Sequence, residues 1–186
     1  MAEPKKQHYI IIGMGSFGAA LARRLSSHGA RITGLDGSRE KISDLSDVLY
    51  EPVIGNATER STLEHLALAD ATAVIISLGE DITQSLLATL HCRDLGAKRI
   101  IVKGVTHEHG QILKSLGASR VIFPEAEIAE SLADRLIRPN IVDFLPLSPD
   151  YSFVEIAVPD TLIGKTLQEL DIRKRFSVWV LGDKDA

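Results

Sequence analysis

Three glycines at Gly-x-Gly-x-x-Gly spacing stand directly behind an apolar run, in Tyr9-Ile10-Ile11-Ile12-Gly13-Met14-Gly15-Ser16-Phe17-Gly18. The chemistry of such a loop is the gripping of an anion by main chain. Gly13 permits the tight turn out of a strand, and Gly15 has no side chain to hold a phosphate away from the backbone. Gly18 lets the following helix pack closely on the sheet, and that helix's N-terminus offers unpaired N–H groups and a positive dipole end. Downstream, Arg31-Ile32-Thr33-Gly34-Leu35-Asp36 is a second apolar run that closes on a carboxylate. Asp36 lies within the roughly 20-residue offset at which an acid bonds a ribose hydroxyl. Strand, glycine turn, helix, second strand and acid in that order point to a bound nucleotide; a lone glycine motif would not. The competing reading is a glycine-rich strand-to-helix turn that binds nothing. Asp36 would repel a 2′-phosphate, which argues against NADP. The candidate set comprises the loop residues Gly13, Met14, Gly15, Ser16, Phe17 and Gly18, with Asp36, Gly37 and Ser38 after the second strand. Leu78 and Gly79, where the fourth strand ends, join them.

These residues need a scaffold, and the pattern from Gln7 to about Pro139 supplies one. Candidate strands are His8–Gly13, Arg31–Asp36, Leu49–Gly55, Ala73–Leu78, Arg99–Val105 and Arg120–Pro124. Helices are expected at Ser16–Ser27, Arg39–Ser46, Ser61–Leu68, Ile82–Asp94 and Glu108–Leu116. Nearly continuous apolar strands such as Val74-Ile75-Ile76 and Ile100-Ile101-Val102 suit a parallel sheet covered on both faces. Strands alternating with helices over short connections imply right-handed crossovers, hence a doubly wound α/β sheet in dinucleotide-fold order. The ligand crevice then lies at the carboxyl ends of the first and fourth strands. Ser61-Thr62-Leu63-Glu64 has the form of a capping box at a helix start.

After Pro124, the acids Glu125 and Glu127 fall in a first helical turn, where they suit the dipole. Ile128, Ala129, Leu132, Ala133, Leu136 and Ile137 form one apolar stripe, and Pro139 stops the helix. The stripe either packs on its own domain or is swapped onto a second subunit. Beyond Asn140 the texture changes. Leu145-Pro146-Leu147-Ser148-Pro149-Asp150 has the composition of a linker or turn, followed by a strand at Phe153–Val158, a helix at Thr166–Leu170 and a strand at Ser177–Leu181. That is too little to bury a core alone. The chain ends in mid-domain, so either the sequence is truncated or this segment leans on another chain.

Bulk properties narrow the classes. The 186 residues, 45% hydrophobic, suffice for one full domain and a small second one. A net charge of -4 gives no reason to expect nucleic acid or an anionic membrane surface as partner. The single cysteine, Cys92, excludes an internal disulfide framework and fits a reducing cytosol. No signal peptide and no run of membrane-spanning length is present. A soluble protein is expected, whose membrane role would come through a partner rather than by direct insertion.

The chain resembles the KTN/RCK (TrkA-N) domains that regulate potassium channels and Trk/Ktr-type potassium transporters. Three separated motifs carry the resemblance: Ile12–Gly18, Gly55-Asn56-Ala57-Thr58, and Leu113-Lys114-Ser115-Leu116-Gly117-Ala118-Ser119-Arg120-Val121-Ile122-Phe123-Pro124-Glu125. Tyr151 to Leu181, with Leu162-Ile163-Gly164-Lys165-Thr166-Leu167, is similar to the first half of the small C-terminal lobe of such proteins. The resemblance implies a six-stranded Rossmann-like domain over 7–139 with a crossover helix, then a linker and an incomplete α+β lobe over 140–186. It implies a homodimer assembling into a ring beneath an integral-membrane potassium-translocating subunit, with the chain cytoplasmic and peripheral to the inner face of the membrane. NAD, NADH, ATP or ADP would sit with its phosphates framed by Gly13, Gly15 and Gly18 and its adenosine ribose on Asp36. Asn56, Ala57 and Thr58 would lie near the adenine. The family more often has Asp where Asn56 stands, and some ATP-responsive relatives place a base where Ser16 stands.

Further candidates have competing readings. Lys103, ending the fifth strand, is either a cation at the crevice or a solvated strand-end lysine. Two copies of Glu125 across a dimer axis could hold Ca²⁺ or Mg²⁺; alternatively the acid serves only the helix dipole. His107 and His109 are two apart and share no helix face, which argues against zinc. His65 and His91 read as packed or surface histidines. No catalytic residue is expected. The alternative class is a NAD-dependent dehydrogenase or other enzyme of this fold, which would need an acid/base group near the cofactor. A nucleotide sensor for a different transporter is the third reading.

Overall fold

A computed structural model describes residues 7–79, 81–137, 141–148 and 151–182. The chain divides into two compact units, Met1–Pro124 and Glu125–Ala186.

In the first unit, β1 (His8–Ile12), β2 (Arg31–Asp36), β3 (Glu51–Ile54), β4 (Ala73–Ile76), β5 (Ile100–Lys103) and β6 (Arg120–Ile122) form one sheet. Its order is β3-β2-β1-β4-β5-β6 and every pairing is parallel. Between them run α1 (Ser16–Ser27), α2 (Arg39–Ser43), α3 (Arg60–Glu64), α4 (Ile82–Asp94) and α5 (His107–Ser115). Side chains alternate across the pleat, so each strand feeds two cores. Ile10, Ile12, Leu35, Val74, Ile76 and Val102 join Leu63, Cys92 and Leu113 on one face. Ile11, Ile32 and Ile75 join Ala22, Ile42, Leu45 and Leu49 on the other. Burial on both faces is why these strands read as unbroken apolar runs.

Several local expectations differ from the structure, among them the third helix, which ends at Glu64 rather than Leu68, with a separate 3₁₀ turn at Leu68–Asp70. The Ser61–Glu64 capping box does not form: α3 starts one residue earlier, at Arg60, with Glu59 at the N-cap position and no side-chain cap bond. Glu64 instead accepts from Arg60 at 3.0 Å, one turn back, and so cannot reach the helix start. The second helix stops at Ser43 rather than Ser46. Leu45, Ser46 and Val48 donate three residues back, to Ile42, Ser43 and Leu45, which tightens the chain into turns.

The second unit opens at Glu125, within α6 (Pro124–Ile137), whose acids Glu125 and Glu127 occupy the first turn. Its stripe residues Ile128, Leu132, Leu136 and Ile137 are exposed. The expected stop at Pro139 lies outside the described residues. Next, β7 (Ile141–Ser148) pairs antiparallel with β8 (Tyr151–Ile156). This corrects the linker reading of Leu145–Ser148: Leu145 faces Phe153 and Pro146 faces Ser152 in the ladder. A two-stranded ribbon has only edges, so a proline that donates no hydrogen bond is tolerated there. Pro149 and Asp150, the rest of that expected linker, lie outside the described residues. Two short helices follow, α7 (Leu167–Leu170) and α8 (Ile172–Phe176). Thr166 and Glu169 close a true capping box on α7. The strand expected at Ser177–Leu181 is absent: Ser177 takes left-handed φ of 55° and no described strand pairs with the residues after it. Apolar alternation makes a strand only where a neighbour supplies hydrogen bonds.

One buried polar relay fixes the start of α4. His109 is 2% exposed and Ser85 3%. The Val105 N–H donates to His109 Nδ1 at 3.2 Å, so the ring proton sits on Nε2. Nε2 then donates to Ser85 Oγ at 2.9 Å, and that hydroxyl donates to the Ile82 carbonyl at 2.8 Å. A second ring proton would face the Val105 N–H, donor against donor. Burial also holds the His109 pKa below its ordinary 6.5. His8 is lowered too, by burial first and then by Arg31. With folded pKa values depressed, the unfolded chain binds the extra protons. The histidine contribution to stability is therefore complete above about pH 6.5 and declines as the pH falls below it. Urea unfolding across pH 7.5 to 5 will show that decline, and His109→Asn, less stable throughout, will show a shallower one.

Candidate functional site

A cleft of about 490 Å³ opens at the carboxyl ends of the strands. On one side of β1 it is walled by Leu35, Asp36, Gly37 and Lys41 and by Gly55, Asn56 and Ala57. On the other side, after β4, stand Ser77, Leu78, Gly79, Asp81 and Gln84. Gly13 and Gly15 form its centre.

The three loop glycines do three different jobs. Gly13 has φ of +97°, and a Cβ built there would run into the Ser77 carbonyl. A Cβ on Gly18 would run into the Gly13 carbonyl, so helix and turn touch backbone to backbone. A Cβ on Gly15 would meet nothing within 4 Å. Gly15 is thus not required by packing, and its bare backbone faces the cleft. It is also the N-cap of α1, which begins with no side-chain cap bond and no acid in its first turn. The positive end of that helix is left to whatever enters.

Asp36 is fixed from behind. Its Oδ2 accepts the Met14 N–H at 2.7 Å and its Oδ1 the Ser38 N–H at 2.8 Å. Lys41 Nζ stands 3.6 Å from Oδ2. Ser38 Oγ meanwhile caps α2 through the Lys41 N–H at 3.4 Å. On the far side, Asp81 caps α4: Oδ1 accepts from Thr83 N at 2.9 Å and Gln84 N at 3.3 Å, and Oδ2 accepts Gln84 Nε2 at 3.0 Å. Asn56 Oδ1 accepts from Thr58 N at 3.0 Å and Thr58 Oγ1 at 2.8 Å, and its Nδ2 donates to Glu59 at 3.3 Å.

Of the residues anticipated from sequence, Gly13, Gly15, Asp36, Gly37, Asn56, Ala57, Leu78 and Gly79 line this cleft. Met14, Ser16, Phe17, Gly18, Ser38, Thr58 and Lys103 are not among its walls. Met14 and Phe17 turn into the core on the α1 face, and Ser38 and Thr58 serve Asp36 and Asn56. Lys103 ends β5, which β4 separates from β1. Glu125 lies in the first turn of α6, in the second unit. Sequence reading passed over Lys41, Asp81 and Gln84. Asp81 could have been found as an N-cap acid directly before a helix at a strand end.

Among the described residues no three His, Cys, Asp or Glu converge as a metal cage. His65 is exposed and His91 half-buried, neither in the cleft. Cys92 is buried, which pushes its thiol up to about 12, so it carries no thiolate at neutral pH.

The model of the TrkA-N domain matches residues 9–124. Ktr system potassium uptake protein C of Bacillus subtilis (strain 168) is 33% identical over 179 residues, 96% of this chain and 81% of the relative. Among solved structures, the NAD(P)-binding domain of an exopolyphosphatase-related protein from Archaeoglobus fulgidus superposes with a TM-score of 0.63 at 26% identity. It covers 72% of this chain and 99% of that one. The GsuK channel bound to NAD gives a TM-score of 0.65 at 20% identity, over 95% of this chain and 32% of the channel, a likeness of fold. The chain belongs to the TrkA-N family.

The glycine geometry makes a prediction about stability alone. Gly18→Ala forces backbone against backbone and will cost roughly 1–3 kcal/mol in denaturant unfolding. Gly15→Ala, with open space around its Cβ, will cost about 1 kcal/mol or less, the price of a poorer N-cap.

Proposed function

We propose that this chain is a cytosolic, nucleotide-binding regulatory subunit of a potassium uptake system and is not an enzyme. The observation that carries the reading is the cleft itself, with Asp36 aimed across a bare glycine loop at an uncapped helix end. Support for the potassium role comes from the likeness to a Ktr potassium uptake protein along nearly the whole chain. The ligand is an adenosine nucleotide, NAD(H) or ATP/ADP, with its ribose diol on Asp36 and its phosphates at Gly13–Gly15. The Asn56 side chain is engaged locally, so adenine would meet this wall mainly through the backbone and Ala57.

Two features of the cleft support the non-enzyme part of this reading. Among the described residues its walls hold no His, Cys or Tyr. Both carboxylates are committed to backbone amides. A hydride-transfer enzyme needs an acid/base group within reach of the reacting carbon.

Regulation would work by population shift. A nucleotide that binds one arrangement of the assembled subunits better than another moves the equilibrium by that difference in affinity, and a membrane partner reads the result. No described helix is long and apolar enough to cross a membrane; in this reading the pore is a separate membrane subunit. In this reading residues 7–139 form the nucleotide-binding domain and 140–186 part of a small C-terminal lobe. The exposed stripe Ile128, Leu132, Leu136 and Ile137 on α6 is covered by a second copy. The resulting dimer would also bring two Glu125 side chains together, a pairing suited to a hard divalent cation.

Co-expression with a Ktr-type potassium-translocating membrane subunit tests the proposal. The two chains will co-purify, and nucleotide will change the potassium flux through the complex in vesicles. Gly15→Ala and Asp36→Ala will remove that response while leaving the complex assembled. A monomer that binds no nucleotide and never associates with the membrane subunit would refute the reading.

A further inference from the structure

A second concavity, of about 460 Å³, opens at the amino ends of the strands, the opposite end of the sheet from the cleft. β1 is five residues long, so the two lie roughly 16 Å apart along it. Side chains alternate across the pleat. The residues that begin β1, β2 and β3 on the face of Ile10, Leu35 and Val53 are therefore His8, Arg31 and Glu51. Thr72, just before β4, Asp70, which ends the 3₁₀ turn, and Tyr50 also line the concavity. A face that is apolar further along each strand becomes polar here on four neighbouring strands.

One relay fixes two of these groups. The Thr33 hydroxyl donates to Glu51 Oε2 at 2.7 Å, so His8 Nε2 donates to Thr33 Oγ1 at 2.9 Å. Arg31 and Asp70 are left over: neither side chain makes a hydrogen bond or ion pair among the described residues. Arg31 Nε is buried with no acceptor, and the guanidinium stands 5.3 Å from the centre of the Tyr50 ring. An aromatic face holds a guanidinium in place but supplies no acceptor in its plane. A buried donor without an acceptor is costly, and a carboxylate laid side-on answers Nε and one Nη together.

Charge decides what else the ligand carries. Burial, and then Arg31, holds the His8 pKa below its ordinary 6.5. With His8 neutral, Arg31 against Glu51 and Asp70 leaves the described walls at net -1. A simple anion would satisfy Arg31 but be repelled by the two carboxylates. A molecule with a carboxylate at one end and a cationic nitrogen at the other meets all three. We propose that this concavity binds a small zwitterion of the amino-acid type, its carboxylate on Arg31 and its ammonium on Asp70 and Glu51. The volume is in the lower part of the range of small-molecule sites and is ample for one amino acid.

Amide NMR of the full chain, titrated with L-alanine, N-acetyl-L-alanine and L-alaninamide, tests the assignment. L-Alanine carries both charges; the acetylated analogue keeps only the carboxylate and the amide only the ammonium. L-Alanine will give saturable shifts at His8, Arg31, Glu51, Asp70 and Thr72. Each blocked analogue will bind at least about tenfold more weakly, the scale of a lost hydrogen bond to a charged group. Arg31→Gln will weaken L-alanine by about tenfold or more and leave L-alaninamide unchanged. Asp70→Asn will weaken L-alanine and L-alaninamide and will not weaken N-acetyl-L-alanine. Both substitutions fall on side chains without partners, and unchanged amide shifts at Gly13–Gly18 will show that the fold holds. Either blocked analogue binding as tightly as L-alanine overturns the zwitterion assignment. Shifts no larger than those from sodium chloride, or an L-alanine affinity that survives both substitutions, overturn the site itself.

Discussion

The site depends on one bidentate clamp: the Asp36 carboxylate between the Met14 and Ser38 amides. It ties the end of β2 to the turn leaving β1 on one side and to the start of α2 on the other. Hydrogen bonds to an ionised acceptor in a half-buried setting are among the stronger ones a protein makes. They also orient the carboxylate, so the acceptor positions left over point in a fixed direction. With the Gly13 N–H bonded to the Leu35 carbonyl at 2.8 Å, the glycine turn is held to β2 through main chain as well. The loop is therefore set by the fold before any ligand arrives.

Around the clamp, small residues are placed where close approach demands them. Gly13 and Gly18 leave no room for a Cβ because turn, helix and β4 end meet backbone to backbone. Gly15 has the room and does not use it. The difference separates the glycines that build the fold from the one whose backbone is left open to the cleft. The buried relay from Val105 through His109 and Ser85 to Ile82 does for the β4 side what the clamp does for β2, because it fixes the first turn of α4 beside Asp81. A polar relay of this kind is stable only when every member is satisfied, and here the neutral histidine tautomer satisfies each one.

The sheet was legible because its strands are buried on both faces, and Ile10-Ile11-Ile12 or Val74-Ile75-Ile76 cannot be mistaken for a surface pattern. Gly13, Gly15 and Asp36 were legible as cleft residues because a strand, a glycine turn and a second strand closing on an acid fix their places at the carboxyl ends of β1 and β2. Lys41, Asp81 and Gln84 escaped because a polar residue in a first helical turn is common, and only the folded sheet brings these three to one cleft. The C-terminal part read less well. Leu145–Ser148 and Ser177–Leu181 carry similar apolar character, yet the first finds Ser152 and Phe153 to pair with and the second finds no described partner. Strand formation is settled by such distant pairing, which local composition does not encode. The Ser61–Glu64 segment failed for a different reason: Arg60 takes the glutamate that the capping box required.

Backbone hydrogen exchange with and without saturating NADH tests the central claim, that a nucleotide is held between the Gly13–Gly15 turn and the Asp36 clamp. The account predicts slowed exchange at Gly13–Gly18 and Asp36–Ser38, extending to Asp81–Gln84. Unchanged exchange at those amides under saturating ligand, or protection confined to the second unit, would contradict it.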